Sequence, residues 1–227
     1  MKIFLCGGGS GKQILFAMNK FASIIDRSKP ILYIPFAMEE EKYESCENWF
    51  SNEIKMFGLN KFEMVKSSKE LSIKNLDDYS SIFIGGGNTF KLLKDLKQFS
   101  NFEKIRNYLN HDGIMFGGSA GAIILGKDIN SCLMQDKNIV GLKETRGFNY
   151  LNDYSLLCHL SNSSFKHNKN YLKEYSKENK TIYLPEEDVI FIDNGKISMI
   201  GNKKYVIFDK EKCLNHNFAN FKKDINK

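Results

Sequence analysis

The chain has 227 residues, 42% of them hydrophobic and 26% charged, an ordinary globular balance with length enough to bury one sizeable core. Its net charge of +6 comes from lysines spread along the chain and interleaved with acids, so no basic block marks a nucleic-acid surface. Five cysteines at no paired spacing exclude a disulfide framework and a zinc motif. No apolar run approaches the roughly 18 residues of a bilayer span, and the apolar start before Gly7 is too brief for a signal peptide, so a cytoplasmic protein is expected.

In chain order, Lys2 to Cys6 reads as a buried strand, followed by a glycine turn and a helix over Gln13 to Ile25. Ile31 to Phe36 predicts a second strand and Glu39 to Phe57 a helix that turns Tyr43, Trp49, Phe50 and Ile54 inward. Phe62 to Val65 is a weaker strand. Ser81 to Ile84 is another, stopped by Gly85-Gly86-Gly87 before a helix capped by Asn88 or Thr89. Gly113 to Phe116 predicts the next strand, and a helix runs from Ser119 through Leu125. Beyond residue 150 come a strand at Ser155 to Cys158 and a helix over Phe165 to Tyr175. Short strands follow at Thr181 to Leu184, Val189 to Ile192, Ile197 to Ile200 and Tyr205 to Phe208, the middle pair joined by the hairpin turn Asp193-Asn194-Gly195-Lys196. Strands alternating with helices across short glycine turns imply one α/β domain over residues 1–227. Its sheet should be doubly wound and mostly parallel, with a C-terminal β-hairpin region. The tail beyond Asp209 is polar and expected to be only partly ordered.

Three glycine clusters follow strands, where open α/β sheets bind their ligands. The first, Gly7 to Lys12, resembles a phosphate loop, but Cys6 stands where a glycine is needed and Gln13 where a hydroxyl is needed; a tight turn is the better reading. The third, Gly117-Gly118-Ser119-Ala120-Gly121, places a serine between a strand and a helix, the context of a nucleophile elbow. Small neighbours let such a turn close, and the helix behind directs its first amides toward the hydroxyl. The Ala120 amide is then an oxyanion donor, with a second from Gly86 or Gly87 in the neighbouring loop. The alternative is that both loops are only tight turns.

The segments Phe83-Ile-Gly-Gly-Gly-Asn-Thr-Phe-Lys-Leu-Leu93 and Gly117-Gly-Ser-Ala-Gly-Ala122 together resemble the dipeptidase E/cyanophycinase family of serine peptidases. Looser similarity runs through Leu184-Pro185-Glu186 to the hairpin ending near Gly201. The resemblance implies a three-layer, flavodoxin-like fold related to class I glutamine amidotransferases, and hydrolysis of small peptides after or at aspartyl residues.

A serine needs a base. Of the four histidines, His159 stands at the carboxyl end of a strand, level with the glycine loops, and His167, near a helix start, is its rival as base; His111 lies in a connection before the elbow strand and His216 in the polar C-terminal tail. The resemblance also points to His159, although the family's usual Pro-His-Tyr or Pro-His-Phe is here Cys158-His159-Leu160. For the orienting acid the resemblance matches Glu186, with Asp136 as rival. Asn88, Thr89 and Arg146 are candidate substrate contacts, and Lys166 and Lys169 further candidate carboxylate clamps. The order serine, histidine, acid departs from that of α/β-hydrolases. Neither metal nor cofactor is expected, and the partners expected are a small peptide and no membrane or nucleic acid, for a monomer or homodimer. Two rival readings remain: an amidotransferase-like or esterase activity, although a glutaminase wants cysteine at the elbow, and a non-catalytic nucleotide or phosphate module at Gly7 to Lys12 or Gly85 to Asn88.

Overall fold

The computed structural model describes residues 1–216 together with Phe221 and Ile225. Its strands are β1 (Lys2–Cys6), β2 (Ile31–Ile34), β3 (Phe62–Met64), β4 (Ser81–Ile84), β5 (Ile114–Gly118), β6 (Ser155–Leu157), β7 (Thr181–Tyr183), β8 (Val189–Asp193), β9 (Lys196–Ile200), β10 (Tyr205–Asp209) and β11 (Lys212–His216). The α-helices are α1 (Leu15–Ile24), α2 (Tyr43–Lys55), α3 (Ser68–Ile73), α4 (Thr89–Lys97), α5 (Asn101–Asn110), α6 (Ala120–Ile123) and α7 (Asn162–Tyr175). A seven-stranded sheet has the order β3-β2-β4-β5-β1-β8-β9, parallel from β3 to β1 and antiparallel at β8 and β9. A separate four-stranded sheet has the order β11-β10-β7-β6.

The register of the large sheet explains much of its packing. Phe191, Phe4, Phe116, Phe83 and Tyr33 are direct partners across β8, β1, β5, β4 and β2, so period-two alternation sets five aromatic rings in one row. Neighbouring centroids along it lie 4.6, 5.5, 4.9 and 6.1 Å apart. Phe21 of α1 meets Phe4, Phe83 and Phe116, and Phe50 of α2 stacks on Tyr33, so these two helices cover the aromatic face. Ile84, one residue after Phe83, must face the other way. Its Cβ lies 3.0 Å from where a side chain on Gly121 of α6 would begin, and α6 in turn packs on α4. Helices therefore layer both faces, and each buried ring contributes about 1.5–3 kcal/mol of transfer free energy.

Several elements differ from expectation. The helix expected over 39–57 is a 3₁₀ turn at Glu40–Lys42 followed by α2, and Trp49, expected inward, is 42% exposed on its flank. The helix after Ser119 is a single turn, because the chain bends at Gly126, where a side chain would press on the Leu156 amide at 3.0 Å. Helices α3 and α5 carry no reading in the sequence analysis. The tail begins with β11, paired to β10 from Lys212 to His216, so this part is ordered by ladder bonds. Residues 217–220, 222–224 and 226–227, the rest of that tail, lie outside the described residues. Among the described residues no helix is long and apolar enough to cross a membrane.

Candidate active site

Ser119 follows β5 with φ 49° and ψ −109°, a conformation that a side chain adopts only under constraint, and its amide donates to the Cys6 carbonyl at 3.1 Å. A side chain on Gly117 would fall 2.3 Å from the Gly121 carbonyl oxygen and one on Gly121 2.3 Å from the Ile84 carbonyl oxygen, which is why glycine stands two residues to either side of the serine. The hydroxyl is turned outward, and Ser119 Oγ lies 2.8 Å from His159 Nε2. His159 follows β6, also at positive φ (63°), and its Nδ1 lies 2.8 Å from Glu186 Oε1. A carboxylate can only accept, so Nδ1 donates to Glu186 and leaves Nε2 free to accept from the serine hydroxyl. Both side chains of the His159–Glu186 pair are partly exposed, at 39% and 45%.

The first glycine loop holds these three residues together. The Cys6 carbonyl takes the Ser119 amide, the Gly7 carbonyl takes the His159 amide at 2.9 Å, and the Gly9 amide donates to the Glu186 carbonyl at 2.9 Å. Gly8 has φ 121°, and a Cβ there would stand 2.2 Å from His159 Cε1; the imidazole lies directly on bare backbone. The Gly7 amide likewise donates to Asp188 O, so two of the amides that a phosphate would need are taken by protein carbonyls.

The β4–α4 loop closes the opposite side. A Cβ on Gly86 would stand 3.2 Å from Ser119 Cβ, bringing this backbone against the serine. The Ala120 amide begins α6 with no helical turn before it, and among the described residues no acceptor takes it or the amides of Gly86 and Gly87. Gly86 and Gly87 border a cavity of about 320 Å³, walled also by Gly8, Gly85, Ser119 and His159 together with Trp49, Glu53, Phe83 and Phe116. Burial pushes the Cys6 thiol up to about 12 and the Cys158 thiol well above its ordinary value, so the sulfurs beside the serine stay protonated.

Other candidate residues stand elsewhere. Asp136 accepts from the Thr89 amide at 2.9 Å and the Thr89 hydroxyl at 2.5 Å, and so fastens the start of α4. The Asn88 side chain caps the same helix through the Lys91 amide and donates to the Lys137 carbonyl. Both residues are spent on structure, and neither they nor Thr89 wall the cavity. Arg146 is 81% exposed, pairs with Glu144 and borders a separate surface hollow with Lys97 and Arg106. Lys169 lies over the Phe165 ring, and His167 reaches the Met134 carbonyl. The sequence reading missed Glu53, which pairs with no lysine or arginine among the described residues and walls the cavity. Its place one helical turn after Trp49 was the available signal.

Known proteins resemble this chain along most of its length. The description peptidase family S51 matches residues 3–200. Peptidase E of Haemophilus influenzae is 27% identical over 188 residues, 80% of this chain and 84% of that one. Peptidase E of Nostoc is 27% identical over 227 residues, 93% of this chain and 91% of that one. Among solved structures, a peptidase from an acI-B1 Actinobacterium superposes with a TM-score of 0.68 at 19% identity, over 95% of this chain and 93% of that one. A Listeria monocytogenes protein ascribed to peptidase E superposes at 0.70 with 24% identity, over 88% and 97%.

Proposed function

The chain belongs to peptidase family S51 and is a serine-type peptidase, and from this we propose that it hydrolyses short peptides through Ser119, His159 and Glu186. The observation that carries the proposal is the unbroken relay of 2.8 Å from serine oxygen to imidazole and 2.8 Å from imidazole to carboxylate. His159 Nε2 accepts the hydroxyl proton as Ser119 Oγ bonds to the substrate's carbonyl carbon. The oxygen that becomes negative is taken by the amides of Ala120 and of Gly86 or Gly87, donors worth about 3–4 kcal/mol of barrier each. His159 then gives its proton to the departing amine, leaving an acyl-Ser119. Water, deprotonated by the same imidazole, displaces the serine and releases the acid. Glu186 holds the ring in the tautomer this sequence needs.

The small cavity and its enclosing loops favour a short peptide over a folded protein. Among the described residues its walls carry no lysine or arginine, so a preference for aspartyl substrates has no cation there to support it. Glu186→Gln should lower kcat by about 10⁴-fold, the scale seen when an orienting acid is removed. Asp136→Asn, which disturbs only the start of α4, should keep kcat within about threefold at a temperature where the protein is folded. Steady-state cleavage of a dipeptide and tripeptide library by both variants reads this directly; the reverse ranking would make Asp136 the acid.

A further inference from the structure

Glu53 is 5% exposed, and besides His159 it is the only ionisable side chain among the described residues that wall the cavity. One carboxylate oxygen accepts the Gly11 amide at 2.6 Å. No lysine, arginine or histidine is within ion-pair distance of it among the described residues. A buried carboxylate without a counter-charge is costly, and folds usually neutralise it with a cation of their own. This one is instead at the wall of the space in front of Ser119. Trp49, four residues earlier on α2, lies on the same helical face and lines the same space. A carboxylate beside an aromatic face is the chemistry that receives a primary ammonium ion.

We infer that Glu53 and Trp49 form a subsite for a primary ammonium group of the substrate, either the free α-ammonium of a peptide or the side chain of a lysyl residue. The inference rests on reading the cavity as the substrate site of Ser119. It makes Glu53 a specificity-determining residue and predicts that an acidic side chain is rejected from this end. Burial already holds the Glu53 carboxyl above its ordinary range, and an arriving ammonium supplies the charge that its surroundings lack.

Trp49 is the only tryptophan of the chain, so its emission reports the occupancy of this end of the cavity without any catalytic readout. Titration of the wild-type protein with n-butylammonium should give a saturable change that 1-butanol, of similar size and no charge, does not give. Glu53→Gln keeps an acceptor for the Gly11 amide and should weaken the n-butylammonium response by about 10- to 100-fold. Equal responses to amine and alcohol in the wild type, which need no variant, would overturn the inference, as would undiminished affinity in folded Glu53→Gln. Two peptide arms separate the sources: N-acetylation, and norleucine in place of lysine. A loss of at least about tenfold in kcat/KM on one arm names the source, and no loss on either arm overturns the subsite. Covalent labelling of Ser119 is scored separately, so failure of the nucleophile and failure of the subsite give different results.

Discussion

Ser119 keeps a side chain in a backbone conformation that glycine would occupy freely. Its positive φ costs on the order of 1–3 kcal/mol, which the Cys6 carbonyl and the surrounding glycines must hold in place. The strain is legible only from the coordinates, yet its sequence trace, small residues at 117, 118, 120 and 121, is plain. Removing the Cβ should relax it, whereas removing the hydroxyl alone should not. Ser119→Gly is therefore expected to be more stable than Ser119→Ala by about 1 kcal/mol, although glycine also loosens the unfolded chain. Urea unfolding of the two inactive variants measures the difference. Ser119→Ala equal to or more stable than Ser119→Gly would mean that the elbow stores no strain.

At the scale of elements, what the sequence reveals depends on whether the signal is local. The strands of the large sheet are legible because each is a short apolar run closed by glycine or a polar turn, and β1, β2, β4 and β5 lie within a few residues of their expected limits. The serine, the histidine and the facing glycine loop are legible for the same reason: each stands at a strand's carboxyl end. Asp136 and Glu186 could not be separated from the chain alone, because both are acids in polar turns and only the fold shows that one meets Thr89 and the other His159. The role of the first glycine loop was hidden too. Reading Gly7 to Lys12 as a tight strand-to-helix turn does not reach this role, because the carbonyls and amides of Gly7 and Gly9 serve partners more than a hundred residues away. The second sheet was illegible for a related reason, since pairing of β6 with β7 and of β10 with β11 is decided by long-range register rather than composition.

For the whole molecule, carboxyls held by burial or by partners, Glu53 of the cavity wall among them, set how stability responds to pH. Burial raises the carboxyls of Glu53 and Asp188 above their ordinary values of 4.5 and 3.8, whereas Glu63, held by Lys74 and Tyr79, is lowered. A raised carboxyl means that the folded protein holds the proton more tightly than the unfolded chain. Its contribution is therefore full below the ordinary value and is lost as pH climbs through the raised one. Glu63 acts in the opposite sense, losing its contribution as pH falls through its depressed value, but it is partly exposed and screened. Glu53→Gln should consequently gain on the wild type as pH rises. The difference in Tm, variant minus wild type, is expected to increase from about pH 4 to about pH 7. A difference that stays flat or shrinks over that interval would show that Glu53 ionises in the folded protein as easily as in the unfolded one. The proposed chemistry requires the oxygen of Ser119 to be an activated nucleophile in front of its amide donors. The most direct measurement is reaction of the folded protein with a fluorophosphonate, followed by mass spectrometry of the modified peptide. A single adduct on Ser119 in the wild type and none in Ser119→Ala is the predicted result. An unreactive wild type, or labelling that persists in the alanine variant, would contradict it.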